Sequence, residues 1–313
     1  MLGVGLMLVA AVLNAAASVL QRRAASAEPS SRVNSLKLFL DILRRPVWML
    51  GIATMLAGFV VHAISISISR IALVQPLLVA ELPLTLLLAS WAFHRSIPGR
   101  DWLAILLQST GLALFVACLG VHGGDPGSVS TAMWFTGIAV TAGAVTAMVL
   151  LSRARPGRPQ AALLGAATGT MFGLNSALIA GVGAAVGAGG GLFTTWQTYV
   201  VAVVGPISFF LLQNAMQAGE LVANQPGFTL LNPLVSVLWG LVVFGEQARG
   251  GPFLLGTAAG GALIVVGTVL LARSTLLDPS SDRDATARSG GRRAGRRSPP
   301  GAAPVARRRR TPR

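Results

Sequence analysis

The sequence predicts an all-α integral membrane protein of about nine transmembrane helices, built as two inverted-topology four-helix repeats joined by a linking helix. Three observations predict it. Apolar residues make up 53% of the chain and charged residues only 11%, at a mean hydropathy of +0.68. Ordinary globular domains carry roughly a quarter charged residues. The apolar residues are gathered into runs of bilayer-crossing length, where a soluble chain of 313 residues would break them between charged loops. Finally, the second half of the chain repeats sequence features of the first.

The first run, 2–20, has no charged residue before it and Arg22 and Arg23 after it. A secretory signal has the opposite order, so this run reads as an uncleaved helix that starts outside. The stretch 34–45 (NSLKLFLDILRR) has helical apolar spacing but is short and charged, which fits a segment lying along the membrane interface. Runs 47–69 and 71–93 follow, separated by Arg70, and then 102–121. Run 133–152 is the linking helix; 161–186, 196–216, 221–244 and 252–272 complete the set. Basic residues concentrate in alternate connections. Arg22, Arg23, Arg32, Lys37, Arg44 and Arg45 follow the first span, Arg95 and Arg100 the third, and Arg153, Arg155 and Arg158 the fifth. The positive-inside rule puts these connections in the cytoplasm and the N-terminus outside, for a multi-pass protein of the cytoplasmic (inner) membrane.

The formal charge of +15 invites a nucleic-acid reading, but much of it sits in the tail 274–313, with Arg292, Arg293, Arg296, Arg297 and the run Arg307 to Arg310. That segment has almost no large apolar residue after Leu277, so it is expected to be a disordered cytoplasmic extension. Its expected partners are anionic lipid headgroups, not nucleic acid. Cys118 is the only cysteine, so neither a disulfide nor a thiolate metal site is available within one chain.

Sliding the chain so that Gln75 and Pro76 meet Gln225 and Pro226 also brings Pro83 and Leu84 onto Pro233 and Leu234, Leu88 onto Leu238, and Gly111 onto Gly261. No gap is needed. Leu13, Asn14 and Ala15 match Leu174, Asn175 and Ser176 once a shorter connection is allowed. The first four spans therefore pair with the last four, and the single span between them turns the second set upside down. This gives a transmembrane transporter domain, 1–273, made of repeat one (1–121), the linking helix (133–152) and repeat two (161–273), followed by the tail.

Glu81 is the acidic residue well inside a span, near the midplane of 71–93. A carboxylate at that depth is costly, so it is expected to face the bundle interior and mark a solute, ion or proton site. Pro76 and Pro83 remove the hydrogen bonds to the carbonyls of Ala72 and Val79, and Pro226 and Pro233 do the same for Val222 and Thr229. Freed carbonyls at membrane depth line a cavity or find other partners, which makes the third and eighth spans the candidate discontinuous helices. Polar residues come in repeat-related sets: Asn14 with Asn175, Gln75 with Gln225, and Asn232 beside the position that matches Glu81. Amides donate and accept, which suits zwitterionic metabolites or amphiphilic cations, and each could equally be a packing hydrogen bond. Gly165, Gly169, Gly173, Ala177 and Gly181 form a small-residue stripe, as do Gly256 and Gly260, and these are assigned to close helix packing. Nucleotide-binding and hydrolase signatures are absent, so no enzyme activity, cofactor or metal centre is expected.

The run Phe244-Gly245-Glu246 followed by LLGTAAGGALIVVGTVLLAR is similar to the ending of EamA-type members of the drug/metabolite transporter superfamily. Trp48, Gly51, Met55, Gly58 and then Ala72-Leu73-Val74-Gln75-Pro76-Leu77 resemble the corresponding stretch of the NIPA-like magnesium transporter branch. The superfamily's common form has ten helices, and this chain resembles that form without its first. Phe59 stands where the NIPA-like pattern has an acidic residue, and His94-Arg95 is the first-half counterpart of the Gly-Glu turn. The resemblance implies a secondary transporter that moves a small organic solute by alternating access, and the depth of Glu81 makes it the expected proton or cation site. Two alternatives stand beside it, a NIPA-like divalent cation transporter and a non-transporting membrane scaffold or accessory subunit. Assembly as a homodimer is compatible with each.

Overall fold

The structure is a computed structural model that describes residues 2–26, 46–218 and 221–274. These belong to one compact unit, Met1–Leu277. The stretch 34–45, expected from sequence at the interface, and the tail beyond Ser274 lie outside the described residues.

Nine helices among the described residues are long and apolar enough to cross a bilayer, and the chain is an all-α membrane protein. They are α1 (Leu2–Ser26), α2 (Pro46–Ser67), α3 (Ile71–Phe93), α4 (Gly99–Leu119), α5 (Thr131–Arg153), α6 (Arg158–Gly187), α7 (Trp196–Gln217), α8 (Leu221–Leu238, continued to Val243) and α9 (Pro252–Ala272). Their ends follow local chemistry. Ser130 caps α5 by accepting the Met133 N–H at 3.3 Å. Gly157 and Gly251 take positive φ, and each leads into a helix whose first turn holds a proline, Pro159 in α6 and Pro252 in α9. Two helices outrun the apolar segments that announced them: α1 continues past Arg22 and Arg23, and α6 begins at Arg158.

Three seams build the bundle, and glycine sets each of them. Along α6 and α8, which run parallel, a Cβ on Gly169 would lie 2.7 Å from the Phe228 carbonyl oxygen, and one on Gly173 would lie 2.9 Å from that of Asn232. Along α4 and α9, which run antiparallel, Gly111 lies against Gly260 and Gln108 against Gly267. Along α1 and α2, Asn14 lies against Gly58 and Gln21 against Gly51. Backbone approach this close replaces the hydrophobic drive that lipid cannot supply. The apolar core that these seams enclose includes Val74, Leu77, Met171, Leu174, Leu178, Trp134 and Trp239.

Span α3 is not a continuous α-helix. An α-turn, Ile71–Val74, passes into a 3-10 stretch, Gln75–Ala80, and regular α-helix resumes at Glu81. Pro76 opens the 3-10 stretch and Pro83 follows it. The Val79 carbonyl freed by Pro83 accepts a hydrogen bond from Gln108 Nε2 of α4 at 2.8 Å. It is therefore satisfied by a neighbouring helix and does not line a solute cavity. Span α8 differs from expectation, because it remains α-helical through both Pro226 and Pro233. Its irregularity comes later, in a π turn over Trp239–Val243 where the Phe244 N–H donates to the Trp239 carbonyl at 3.0 Å. Close packing on the α6 glycines holds the proline-bearing part of α8 in line.

At one end of the bundle the connections after α4 and α8 pair as a short antiparallel ribbon, β1 (His122–Gly123) with β2 (Glu246–Gln247). At the other end Ser274, placed in the tail by composition, is buried and its hydroxyl donates to Asp101 Oδ2 at the start of α4. The membrane unit thus includes Ser274, because an interior polar contact outweighs the composition of the residues around it.

Candidate solute site

Glu81 sits at the point where the 3-10 stretch of α3 becomes α-helix, and its Oε2 accepts from Asn14 Nδ2 of α1 at 3.4 Å. Gly58 on α2 lets the Asn14 amide approach, since a Cβ there would collide with it. Around Glu81 lies a cavity of about 280 Å³. The first half of the chain contributes Ser18, Arg22 and Thr85 to its wall, and the second half contributes Asn224, Gln225 and Phe228 from α8 with Leu212 and Met216 from α7. The Thr85 hydroxyl is occupied by the Glu81 backbone carbonyl at 2.7 Å. The Arg22 guanidinium lies 5.5 Å from the centre of the Phe93 ring. The cavity combines one carboxylate, one guanidinium, the amides of Asn224 and Gln225 and an apolar wall, so it can hold an amphiphilic solute of a few heavy atoms.

Of the residues singled out from the sequence, the structure brings together Glu81, Asn14 and Gln225. Gln75 is fully buried elsewhere, its Nε2 lying 3.2 Å from His62 Nε2, and its Oε1 has no partner. Asn175 and Asn232 likewise keep an unpartnered, buried Oδ1, and neither lines the cavity. Pro83 faces a separate apolar pocket between α3 and α4, with Leu77, Gln108 and Leu112. Pro76 lies in the 3-10 stretch, while Pro226 and Pro233 lie within unbroken helix.

Sequence reasoning missed Ser18, Arg22, Thr85 and Asn224 as wall residues. The signal was available, because Ser18 and Arg22 follow Asn14 at four-residue steps and Thr85 follows Glu81 by one such step, which puts them on the same helix faces. It also missed Gln108, whose role depends on the carbonyl that Pro83 frees.

The Gly-Glu turn has a structural task at the ribbon end. Gly245 takes φ 71°, and Glu246 then reaches the start of α3, where Oε1 accepts the Ile71 N–H at 2.9 Å and Oε2 the Ala72 N–H at 3.0 Å. Burial pushes the Glu246 carboxyl up from its ordinary range, opposed by these two N–H donors and by the charge of Arg70. Arg70 Nε donates to the Gly123 carbonyl at 2.9 Å, the Asp125 N–H to that of Phe244 at 3.1 Å, and the Arg249 N–H to that of Leu119 at 3.0 Å. Beneath the ribbon, Trp134, Trp239 and Phe244 pack with ring centres 5.3 to 6.1 Å apart.

Comparison with known proteins finds a likeness in sequence. The chain is 26% identical over 251 residues to an uncharacterized protein of Corynebacterium glutamicum, an alignment covering 78% of this chain and 85% of that protein. No family model and no solved structure matches.

Proposed function

We propose that the chain is a secondary transporter of drug/metabolite transporter type, moving a small organic solute across the cytoplasmic membrane by alternating access. The observation that carries this reading is the cavity in which Glu81, held by Asn14, faces Asn224 and Gln225 from the other half of the chain. Buried carboxylates within spans are costly and serve ion, proton or solute sites by default. A site between two halves suits a carrier whose halves rock about it. The packing supports inverted repeats: α1 runs parallel to α3, with Asn14 on Glu81 and Arg22 over Phe93, α6 runs parallel to α8, and α4 meets α9 antiparallel with Gly111 against Gly260. Basic connections on one side favour an N-terminus outside. Glu81 acts as the proton or cation site, and the amides with Phe228, Leu212 and Met216 receive the solute. Hard divalent cations prefer several oxygen ligands, commonly charged ones, so a wall with a single carboxylate favours an organic solute over Mg²⁺.

The test is uptake in proteoliposomes of labelled amino acids, organic cations and Mg²⁺, with and without a pH gradient. Gradient-driven uptake of an organic solute is expected, and Glu81→Gln should lower it at least tenfold while the protein still inserts. The amide keeps the shape but cannot exchange a proton. Unchanged pH-dependent uptake by Glu81→Gln would remove Glu81 from the mechanism, and absence of any uptake by the wild type would favour a scaffold.

A further inference from the structure

The Glu81 cavity is lined by α3 from its middle, at Glu81, onward to Ala89, by residues near the ends of α1 and α7, and by the start of α8. The opposite end of α3 and the end of α8 lie beneath the β1–β2 ribbon. That end is fastened in several layers. The ribbon ties the α4–α5 connection to the α8–α9 connection. Arg70 joins the start of α3 to β1, and the Glu246 carboxylate clasps the first two N–H groups of α3 from the other half of the chain. Gly240 permits this, because a Cβ there would lie 3.0 Å from that of Ala72 and would also crowd Glu246 Oε2. Below the clasp is the plug of Trp134, Trp239 and Phe244. The two residues at the ends of the π turn's hydrogen bond, Trp239 and Phe244, both belong to that plug, and Glu246 follows two positions later.

We propose that the ribbon and aromatic plug form a gate over the Glu81 site, with Glu246 as the latch that holds the start of α3 and the π turn of α8 as its hinge. The proposal rests on the transporter reading. The clasp consists of side chain to backbone bonds, which can be released without unfolding either helix. A π turn is a common place for a helix to change register, because its hydrogen bonds already depart from the α pattern. Releasing Glu246 would free β2, Phe244 and Trp239 as one piece. In the same step it would free the α-turn that leads through the 3-10 stretch to Glu81.

The test uses labelling, so it does not depend on knowing the solute. In a Cys118→Ala background, Thr85→Cys in the cavity wall serves as reporter, and an impermeant maleimide is added to each face of sealed vesicles. His122→Cys with Gln247→Cys supplies a lock, because these residues are direct partners across the antiparallel ribbon and lie within disulfide reach. The reporter should react from the ribbon face in the unlocked protein. Oxidising the lock should cut that reaction at least fivefold, leave labelling from the other face unchanged, and be reversed by reductant. Glu246→Ala should raise ribbon-face labelling several-fold, and Glu246→Gln, which keeps one acceptor, by less. Failure of the reporter to react from the ribbon face, or reaction insensitive to the lock, would overturn the gate. Reaction that responds to the lock but not to Glu246→Ala would overturn Glu246 as latch. A wild type with normal gating but no uptake of any solute would count against the transporter reading alone.

Discussion

Spans α3 and α8 carry prolines at the same spacing, Pro76 with Pro83 and Pro226 with Pro233, yet they fold differently. Span α3 tightens into a 3-10 stretch of 6 residues that ends at Glu81, whereas α8 stays α-helical through both prolines and loosens only at Trp239. Proline frees a carbonyl but does not decide what happens to it; the neighbouring helix decides. Beside α3 stands Gln108, whose amide reaches the Val79 carbonyl. Beside α8 stands the glycine face of α6, so close that backbone meets backbone, and the helix has no room to depart from its axis. The regular part of α8 forms one wall of the cavity, and the irregular α3 delivers the carboxylate.

The largest effect expected from disturbing this contrast is at the α6 and α8 seam. A side chain at Gly169 would have to pass the Phe228 carbonyl oxygen, and backbone cannot give way as a flexible side chain can. Gly169→Leu should therefore cost about 3 kcal/mol or more and sharply lower the yield of folded protein in detergent. Gly143→Ala, on an exposed face of α5 with nothing near a new Cβ, should melt within a degree or two of the wild type. Equal melting of Gly169→Leu and wild type would show that the seam does not hold α8 straight.

An intermediate effect is expected at Gln108. Gln108→Leu removes the donor to Val79 and leaves that carbonyl unpaired, which should cost about 1 kcal/mol. Adding Pro83→Ala restores an N–H within α3 that can take the same carbonyl. The double variant should be more stable than the sum of the single changes predicts, by several tenths of a kcal/mol. Simple additivity in a denaturation cycle would mean that Gln108 does not substitute for the missing helix bond.

The spans were legible in the sequence because lipid demands continuous apolar length, and hydropathy records that demand residue by residue. Glu81, Asn14 and Gln225 were legible as well, the first by its cost at that depth and the others by their repeat partners. The remaining candidates diverge for reasons that are geometric. A 3-10 stretch rises about 2.0 Å per residue, so Gln75 lies about 12 Å along α3 from Glu81, at a different depth. Asn175 matches Asn14, but the position matching Glu81 is Leu231, so the second half has no carboxylate for its asparagine to meet. The ribbon was not legible at all: strands of 2 residues far apart in sequence leave no periodicity, and the Gly-Glu turn pointed to a family resemblance without pointing to the start of α3.

The smallest expected effect tests whether the halves differ in function as well as in shape. Asn232 is the residue of α8 beside the position that matches Glu81, and from sequence it was a candidate for the site. In the structure its side-chain Oδ1 is buried without a partner, while its backbone carbonyl accepts from the Ser236 hydroxyl at 2.9 Å. The cavity wall on α8 consists of Asn224, Gln225 and Phe228, and ends a helical turn before Asn232 is reached. An amide oxygen buried without a hydrogen bond costs free energy that an apolar side chain of similar volume does not. Asn232→Leu should therefore leave stability unchanged or raise it by about 1 kcal/mol, and should leave uptake within about twofold of the wild type. Glu81→Gln, by contrast, is expected to lose coupled uptake at unchanged stability. If Asn232→Leu instead abolished uptake by a protein that melts normally, α8 would supply a site residue at that depth. The part of the site that α8 supplies would then extend a helical turn beyond Phe228.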